Sequence, residues 1–227
     1  MGAIGTALGL PFARPNSAFN PLSLSPSRWY DASQQTGISN NDPAQPPDFS
    51  GNNGPLLQAT TTKRCTYLTN IQNGRPVYRF DGVDDMVQTA GSLAIGAIIM
   101  VVKCQGAGWA IDYPGLLTPG NTSDLLTGSN VGQNSWFTWS ASFGTVTYKL
   151  NGLVNATRTA PMNAFGVLSW RATTPSSSAR LQLGQDRNIS GRFWVGDVAE
   201  CLIWPTALSD ANTGLVEAYL KSKWGTP

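Results

Sequence analysis

Short runs of alternating apolar and polar residues, each closed by glycine, proline or asparagine, set the pattern of this chain. Val77-Tyr78-Arg79-Phe80 alternates after Asn73-Gly74 and ends at Asp81-Gly82. Thr145-Val146-Thr147-Tyr148-Lys149-Leu150 alternates and runs into Asn151-Gly152, the strongest short-range hairpin signal in the sequence. Residues 97–102 are continuously apolar, as in a strand buried on both faces. Residues 109–111, 135–139, 164–171, 179–184 and 192–204 complete the predicted strands. On alternation, Trp136 and Thr138 share one face and Phe137 and Trp139 the other, so one of the two tryptophans is a candidate for exposure. Only the C-terminus predicts a helix. Ser209 is a good N-cap, Leu215, Val216, Tyr219 and Leu220 recur at helical spacing, and Gly225 is the stop. Lys221 and Lys223 fall in its last turn, and the helix is expected to dock on a sheet edge or convex face as a stabilising element.

This rhythm predicts an all-β fold, an antiparallel two-sheet sandwich of jelly-roll type, with one short C-terminal helix. Pro11, Pro15 and Pro21 make residues 1–22 read as an extended N-terminal arm, leaving 23–227 as one domain. Residues 33–54, with Pro43, Pro46, Pro47 and Asn53-Gly54, read as a long polar loop. No repeat of 20–50 residues is visible, which argues against a propeller or solenoid.

Composition removes several kinds of chemistry. The 227 residues include no histidine, so Ser-His-Asp and Cys-His catalysis and His-ligated zinc are excluded. Charged residues make up 12%, about half the usual ~25%, so uncharged polar side chains do most of the solvating. A net charge of +2 provides no basic field for nucleic acid or an anionic membrane surface. Cys65, Cys104 and Cys201 are far apart, odd in number and without a Cys-x-x-Cys pair. They read as reduced and buried, and point to folding in a reducing compartment. Residues 1–12 have no positive n-region, and no stretch approaches the ~20 apolar residues of a membrane span. The Met1-Gly2…Thr6 acylation pattern and the Asn-x-Ser/Thr triplets at Asn121, Asn155 and Asn188 are as frequent as chance supplies.

Four ordered segments carry a resemblance. They are Trp29-Tyr30-Asp31-Ala32-Ser33; Asp48-Phe49-Ser50-Gly51-Asn52; Gly74-Arg75-Pro76-Val77-Tyr78-Arg79-Phe80-Asp81-Gly82-Val83-Asp84-Asp85; and Gly196-Asp197-Val198-Ala199-Glu200-Cys201-Leu202-Ile203-Trp204 with the helix beyond. Together they resemble the concanavalin A-like lectin/glucanase superfamily, in its laminin-G-like branch, over about residues 24–225. Residues 105–190 match only in strand rhythm. The resemblance implies a jelly roll that binds glycans or protein partners. An arm plus one such domain, without an export signal, is similar in organisation to the virion structural proteins of tailed bacteriophages.

Two sets of residues are candidates for a site. Asp81, Asp84 and Asp85 follow the strand ending at Phe80. They can accept loop backbone N–H groups, or join loop carbonyls around a calcium ion, which members of the wider superfamily often bind. Trp109, Asp112, Tyr113, Trp136 and Trp139 lie near Gly- and Asn-rich loops. Their rings can stack on a sugar or fill the core. A glycosidase of this superfamily needs paired acidic groups on one strand. The chain has two glutamates, Glu200 and Glu217, and strict alternation puts Asp197 and Glu200 on opposite faces, while Asp84 and Asp85 as neighbours point apart. The expectation is therefore a non-enzymatic virion protein, a capsid decoration or tail-associated component. Its arm would attach it to other virion proteins, with self-association into an oligomer and glycan contact through its loops. The alternatives are a secreted carbohydrate-binding module and, third, a glycoside hydrolase.

Overall fold

The computed structural model describes residues 19–120, 125–137 and 141–227. Most of the expected arm, residues 1–18, and the candidate Trp139 lie outside the described residues. The end of that arm is docked rather than extended. Phe19 packs edge-on against Tyr219 with ring centroids 6.1 Å apart, and Pro21–Leu24 forms a 3-10 turn in which the Leu22 N–H donates to Asn20 Oδ1 at 3.0 Å.

Among the described residues there are twelve strands and one α-helix. In chain order the strands are β1 (Arg28–Asp31), β2 (Thr66–Gln72), β3 (Arg75–Asp81), β4 (Val87–Gln88), β5 (Leu93–Cys104) and β6 (Gly115–Thr118). There follow β7 (Leu126–Thr127), β8 (Val146–Leu150), β9 (Leu153–Val154), β10 (Gly166–Ser178), β11 (Gln182–Leu183) and β12 (Val195–Trp204), then α1 (Asp210–Trp224). Eight strands make the larger sheet in the order β2-β3-β12-β5-β10-β8-β9, with β1 continuing alongside β12 where β3 ends. The smaller sheet runs β4-β11-β6-β7, and every strand pairing in both sheets is antiparallel.

β5 explains the layering. Ile98, Met100, Val102 and Cys104 belong to one apolar cluster, while Ala97, Ile99 and Val101 belong to another. The first cluster takes in Leu116, Leu117 and Leu183 of the smaller sheet, and the second takes in Val216, Leu220 and Trp224 of α1. The larger sheet is thus the middle of three layers, and its central strand has no solvent face, as its unbroken apolar run requires. Each fully buried Ile or Leu of that strand contributes about 1.5–3 kcal/mol. Gly96 interrupts the run because a Cβ there would sit 2.2 Å from the Thr206 carbonyl carbon, where the chain turns from β12 toward α1.

Local signals act where they were read. Asn151 and Gly152 both have positive φ, +53° and +83°, and close the β8–β9 hairpin at the Leu150–Leu153 pair. Ser209 Oγ accepts the Asn212 N–H at 3.1 Å, and Gly225 ends α1 in the left-handed region. The helix lies on the face of the larger sheet opposite the smaller sheet. It is neither long nor apolar enough to cross a membrane. The three cysteines are free and buried.

Other elements differ from the expectation. Residues 109–111 form loop; Ser135 and Trp136 make only isolated bridges, to Thr159 and Gly128, and residues 138–139 of that expected strand lie outside the described residues. β2 and β6 had no clear alternation and were not anticipated. The largest correction concerns β12. Its pairing with β5 slips by one residue between Val198 and Glu200, a bulge at Ala199. Asp197 and Glu200 therefore share the helix-side face instead of pointing apart.

Both are sealed there. Asp197, with no exposed surface, takes Arg79 Nε at 2.6 Å, Arg79 Nη2 at 2.9 Å and Lys103 Nζ at 2.7 Å. Glu200, equally buried, accepts from the indoles of Trp29 and Trp224, each at 2.7 Å, from Tyr219 Oη at 3.2 Å and from Lys223 Nζ at 2.7 Å. Lys223 also donates to buried Asp31. Burial, then the nearby Asp31 charge, pushes the Glu200 carboxyl up, and Lys223 pulls it back down. Replacing Lys223 by Ala should cost about 3–5 kcal/mol in urea unfolding, because it leaves two buried carboxylates without a counter-ion. Adding Glu200→Gln to that variant should recover part of the loss. A double variant no more stable than the single one contradicts this assignment.

Candidate functional site at the loop end of the sandwich

Strand register gathers several long loops at one end. Asp81 lies opposite Val195, Gly196 opposite Cys104, and Val102 opposite Gly166. The turn after β3, the loop after β5 and the loops leading into β10 and β12 therefore leave from the same edge of the larger sheet.

The first candidate, the acidic turn, is built by its own side chains. Gly82, at φ +78°, makes the bend where a Cβ would come within 2.9 Å of Val195 Cβ. Asp81 Oδ1 then accepts the N–H groups of Val83 at 2.8 Å and Asp84 at 3.4 Å, and Asp85 Oδ2 accepts the Asp81 N–H at 3.0 Å. Phe80 and Val87 on either side are fully buried. Residues 82–86 are a turn rather than strand, so Asp84 and Asp85 do not diverge. Asp81, Asp84 and Asp85 each offer a carboxylate oxygen within 4.8 Å of the others. These are hard oxygen donors of the kind calcium takes, although three of their contacts already go to the backbone. Burial, reinforced by the Asp81 and Asp84 charges, pushes the Asp85 carboxyl up to about 7, against the pull of its bond from the Asp81 N–H.

The aromatic candidates separate into two groups. Trp109 and Trp136 are 3% and 1% exposed and pack on each other with centroids 5.1 Å apart. The Trp109 indole donates to the Ser135 carbonyl at 2.9 Å. Neither ring face is open to a sugar, so of the two roles open to them they take the core. Tyr113 and Asp112 stay at the surface. Asp112 Oδ1 accepts the Val131 N–H at 2.7 Å and pins that loop. Tyr113, half-buried at φ +56°, meets Phe137 edge-on at 5.2 Å and carries the Arg192 guanidinium 4.8 Å from its ring centroid. Arg192 is held in turn by buried Asp186 at 2.8 Å, which also binds Arg187 Nε at 2.7 Å.

Arg192, Asp186 and Phe137 were not anticipated. The only signal for the two charged residues was the clustering of three charges at 186–192 in a charge-poor chain. The Arg192 guanidinium lies over one face of the Tyr113 ring, so what the arrangement offers a polar ligand is the fixed cation and the phenol hydroxyl, with Asp112 close in sequence. None of the four cavities near Tyr148, Leu22, Ile71 and Gln34 has an acidic side chain in its wall. No protein-family model matches the chain, and neither does any curated protein or solved structure.

Asp85 gives the acidic turn a pH signature. The folded protein keeps this proton up to about pH 7, whereas an ordinary aspartate releases it near 3.8. The folded state thus holds more protons between those values, and stability should fall as pH rises through that window and level off above it. Asp85→Asn still accepts the Asp81 N–H and cannot ionise, so its melting temperature should lose that slope. Calcium binding has a separate signature, a rise in melting temperature at pH 8 that a chelator reverses and Asp85→Asn weakens. Without that rise the cluster serves the turn alone.

Proposed function

We propose that this chain is a non-enzymatic structural component of a bacteriophage virion, a jelly-roll domain that attaches through residues before Phe19 and presents its loop end to host-surface glycans. The observation that carries the non-catalytic part is the position of the acids. The exposed Asp81 at the end of β3 and its neighbour Asp85 spend carboxylate oxygens on the N–H groups of their own turn, and the other strand-borne acids are sealed. Asp31, Asp197 and Glu200 are fully buried and each is held by a cation, while the described cavities have no carboxylate in their walls. General acid–base hydrolysis needs two acidic groups flanking an accessible bond. The Tyr113–Arg192 surface supports a binding role, since a fixed guanidinium and a phenol hydroxyl can hydrogen-bond the hydroxyl groups of a sugar. The jelly-roll and virion parts rest on the four resembling segments, on two stacked antiparallel sheets, and on an arm-plus-domain organisation.

Removal of residues 2–18 leaves the Phe19–Tyr219 contact and the Asn20 cap in place, so the domain should fold with an unchanged melting temperature. Loss of the truncated protein from purified phage particles that retain the full chain is the expected result. Equal retention, or absence of the full chain from particles, overturns the proposal. On a glycan array, Tyr113→Ala should weaken the strongest signal about tenfold, or about 1.4 kcal/mol. Release of reducing sugar from any bound glycan would favour a hydrolase instead.

A further inference from the structure

A second surface, where β1 ends, has the features of a ligand site. An open cleft of about 290 Å³ lies between two short segments of chain, walled by Gln34, Gln35, Thr36, Gln45, Pro47 and Phe49. That volume is close to the lower end of the range for small-ligand clefts, roughly 300–1,000 Å³. One wall is the 3-10 turn Ala32–Gln34 that follows β1. Asp31 caps it, Oδ1 accepting the Ser33 N–H at 2.9 Å, and the Gln35 N–H closes it on the Ala32 carbonyl at 3.3 Å. The other wall, residues 45–49, is fixed on either side. The Ala44 N–H donates to the Cys65 carbonyl and the Phe49 N–H to the Trp29 carbonyl, each at 2.7 Å. Ala44 and Pro46 are buried while Gln45, Pro47 and Phe49 are half-buried, so alternation sets these three on the cleft side.

Each glutamine is anchored through one end of its carboxamide. Gln34 Nε2 donates to Asp31 Oδ2 at 2.7 Å, Gln35 Oε1 accepts the Tyr78 O–H at 2.7 Å, and Gln45 Oε1 accepts the Gln58 N–H at 2.8 Å. The other ends have no partner among the described residues. They are one acceptor, Gln34 Oε1, and two donors, the Nε2 groups of Gln35 and Gln45. Gln34 and Thr36 are exposed and the other two glutamines half-buried, so these groups reach solvent. They are oriented before any ligand arrives, which lowers the ordering cost of binding. No wall residue is charged. The adjoining carboxylates are already engaged, Asp31 with Lys223 and Asp48 with the N–H groups of Trp29, Ser50 and Gly54. An uncharged cleft with both donors and acceptors, edged by Pro47 and Phe49, calls for a neutral ligand rich in hydroxyl groups.

We infer that this glutamine cleft binds a neutral hexose unit, a saccharide ring without carboxylate, phosphate or sulfate. Neighbouring hydroxyl groups of a pyranose can each accept from a carboxamide N–H and donate to a carboxamide oxygen. Its C–H groups match the apolar surface of Pro47 and Phe49, and the Thr36 hydroxyl adds a group able to do both. A charged sugar would give up hydration here with no counter-charge to replace it. The inference rests on the glycan-binding reading and deepens it, naming a ligand class and a second contact point on the domain.

The test is titration of the full chain with glucose, galactose, mannose, glucuronate and triglycine, followed by NMR shifts of the 33–37 and 45–49 amides. At least one of the three hexoses should bind with shifts centred on those amides, and more tightly than glucuronate or triglycine. Gln45→Leu removes the donor at similar size and should weaken that hexose about tenfold. Thr36→Val, at an exposed side chain, should weaken it about threefold with an unchanged melting temperature. Tighter binding of glucuronate, equal binding of triglycine, or indifference to both substitutions each overturns the assignment. If all three hexoses fail to shift these amides while Tyr113→Ala still reduces the glycan-array signal, the glutamine cleft falls and the proposed function stands.

Discussion

The fold depends on one ammonium group shared between two carboxylates that water cannot reach. Lys223, in the last turn of α1, bridges Asp31 at the end of β1 and Glu200 in the middle of β12. Three further donors, two tryptophan indoles and a tyrosine hydroxyl, complete the shell of Glu200. Because those donors come from β1 and α1, the network joins the beginning of the domain, its central sheet and its end. An apolar contact in the same place would accept several helix positions, whereas this set of directional bonds accepts one. The bulge at Ala199 makes the arrangement possible, since without the extra residue Glu200 would face the smaller sheet.

Much of the fold was legible because it is written locally. Asn151-Gly152 needs no tertiary context to form its turn, and neither do the Ser209 cap or the Gly225 stop. The double burial of β5 was visible because an apolar run of that length has no polar face to expose. What escaped is non-local. Nothing in residues 196–204 marks Ala199 as a bulge, because the slip is defined by pairing with β5. For the same reason strict alternation misplaced Asp197 and Glu200. The candidate site was half legible: Asp81, Asp84, Asp85, Asp112 and Tyr113 come to the loop end. Trp109 and Trp136 instead fill the core, since a pair of large rings gains more by burial than by exposure. Arg192 escaped because its role depends on which groups lie near it in space.

Few charges are spent on solvation in this protein, and the uncharged polar residues are used structurally. Asp48 shows the style in acidic form, accepting the N–H groups of Trp29, Ser50 and Gly54 with one carboxylate. Asn155 closes its own turn in the same way, its Oδ1 accepting the Thr159 N–H at 3.0 Å and its Nδ2 donating to the Thr159 carbonyl at 2.8 Å. Among the described residues seven asparagines, at 41, 53, 70, 73, 151, 163 and 188, take positive φ, where their short amides tolerate a bend that other side chains resist. Long loops can then hold a single shape, and this lets half-exposed groups such as Tyr113 be held in one orientation.

The contact between Phe19 and Tyr219 has a mechanical meaning. Tyr219 also donates to Glu200, so Phe19, the first described residue, is one contact away from the central clasp. A pull applied upstream of Phe19 is delivered to the helix layer and shared across the sheet, instead of unzipping an edge strand.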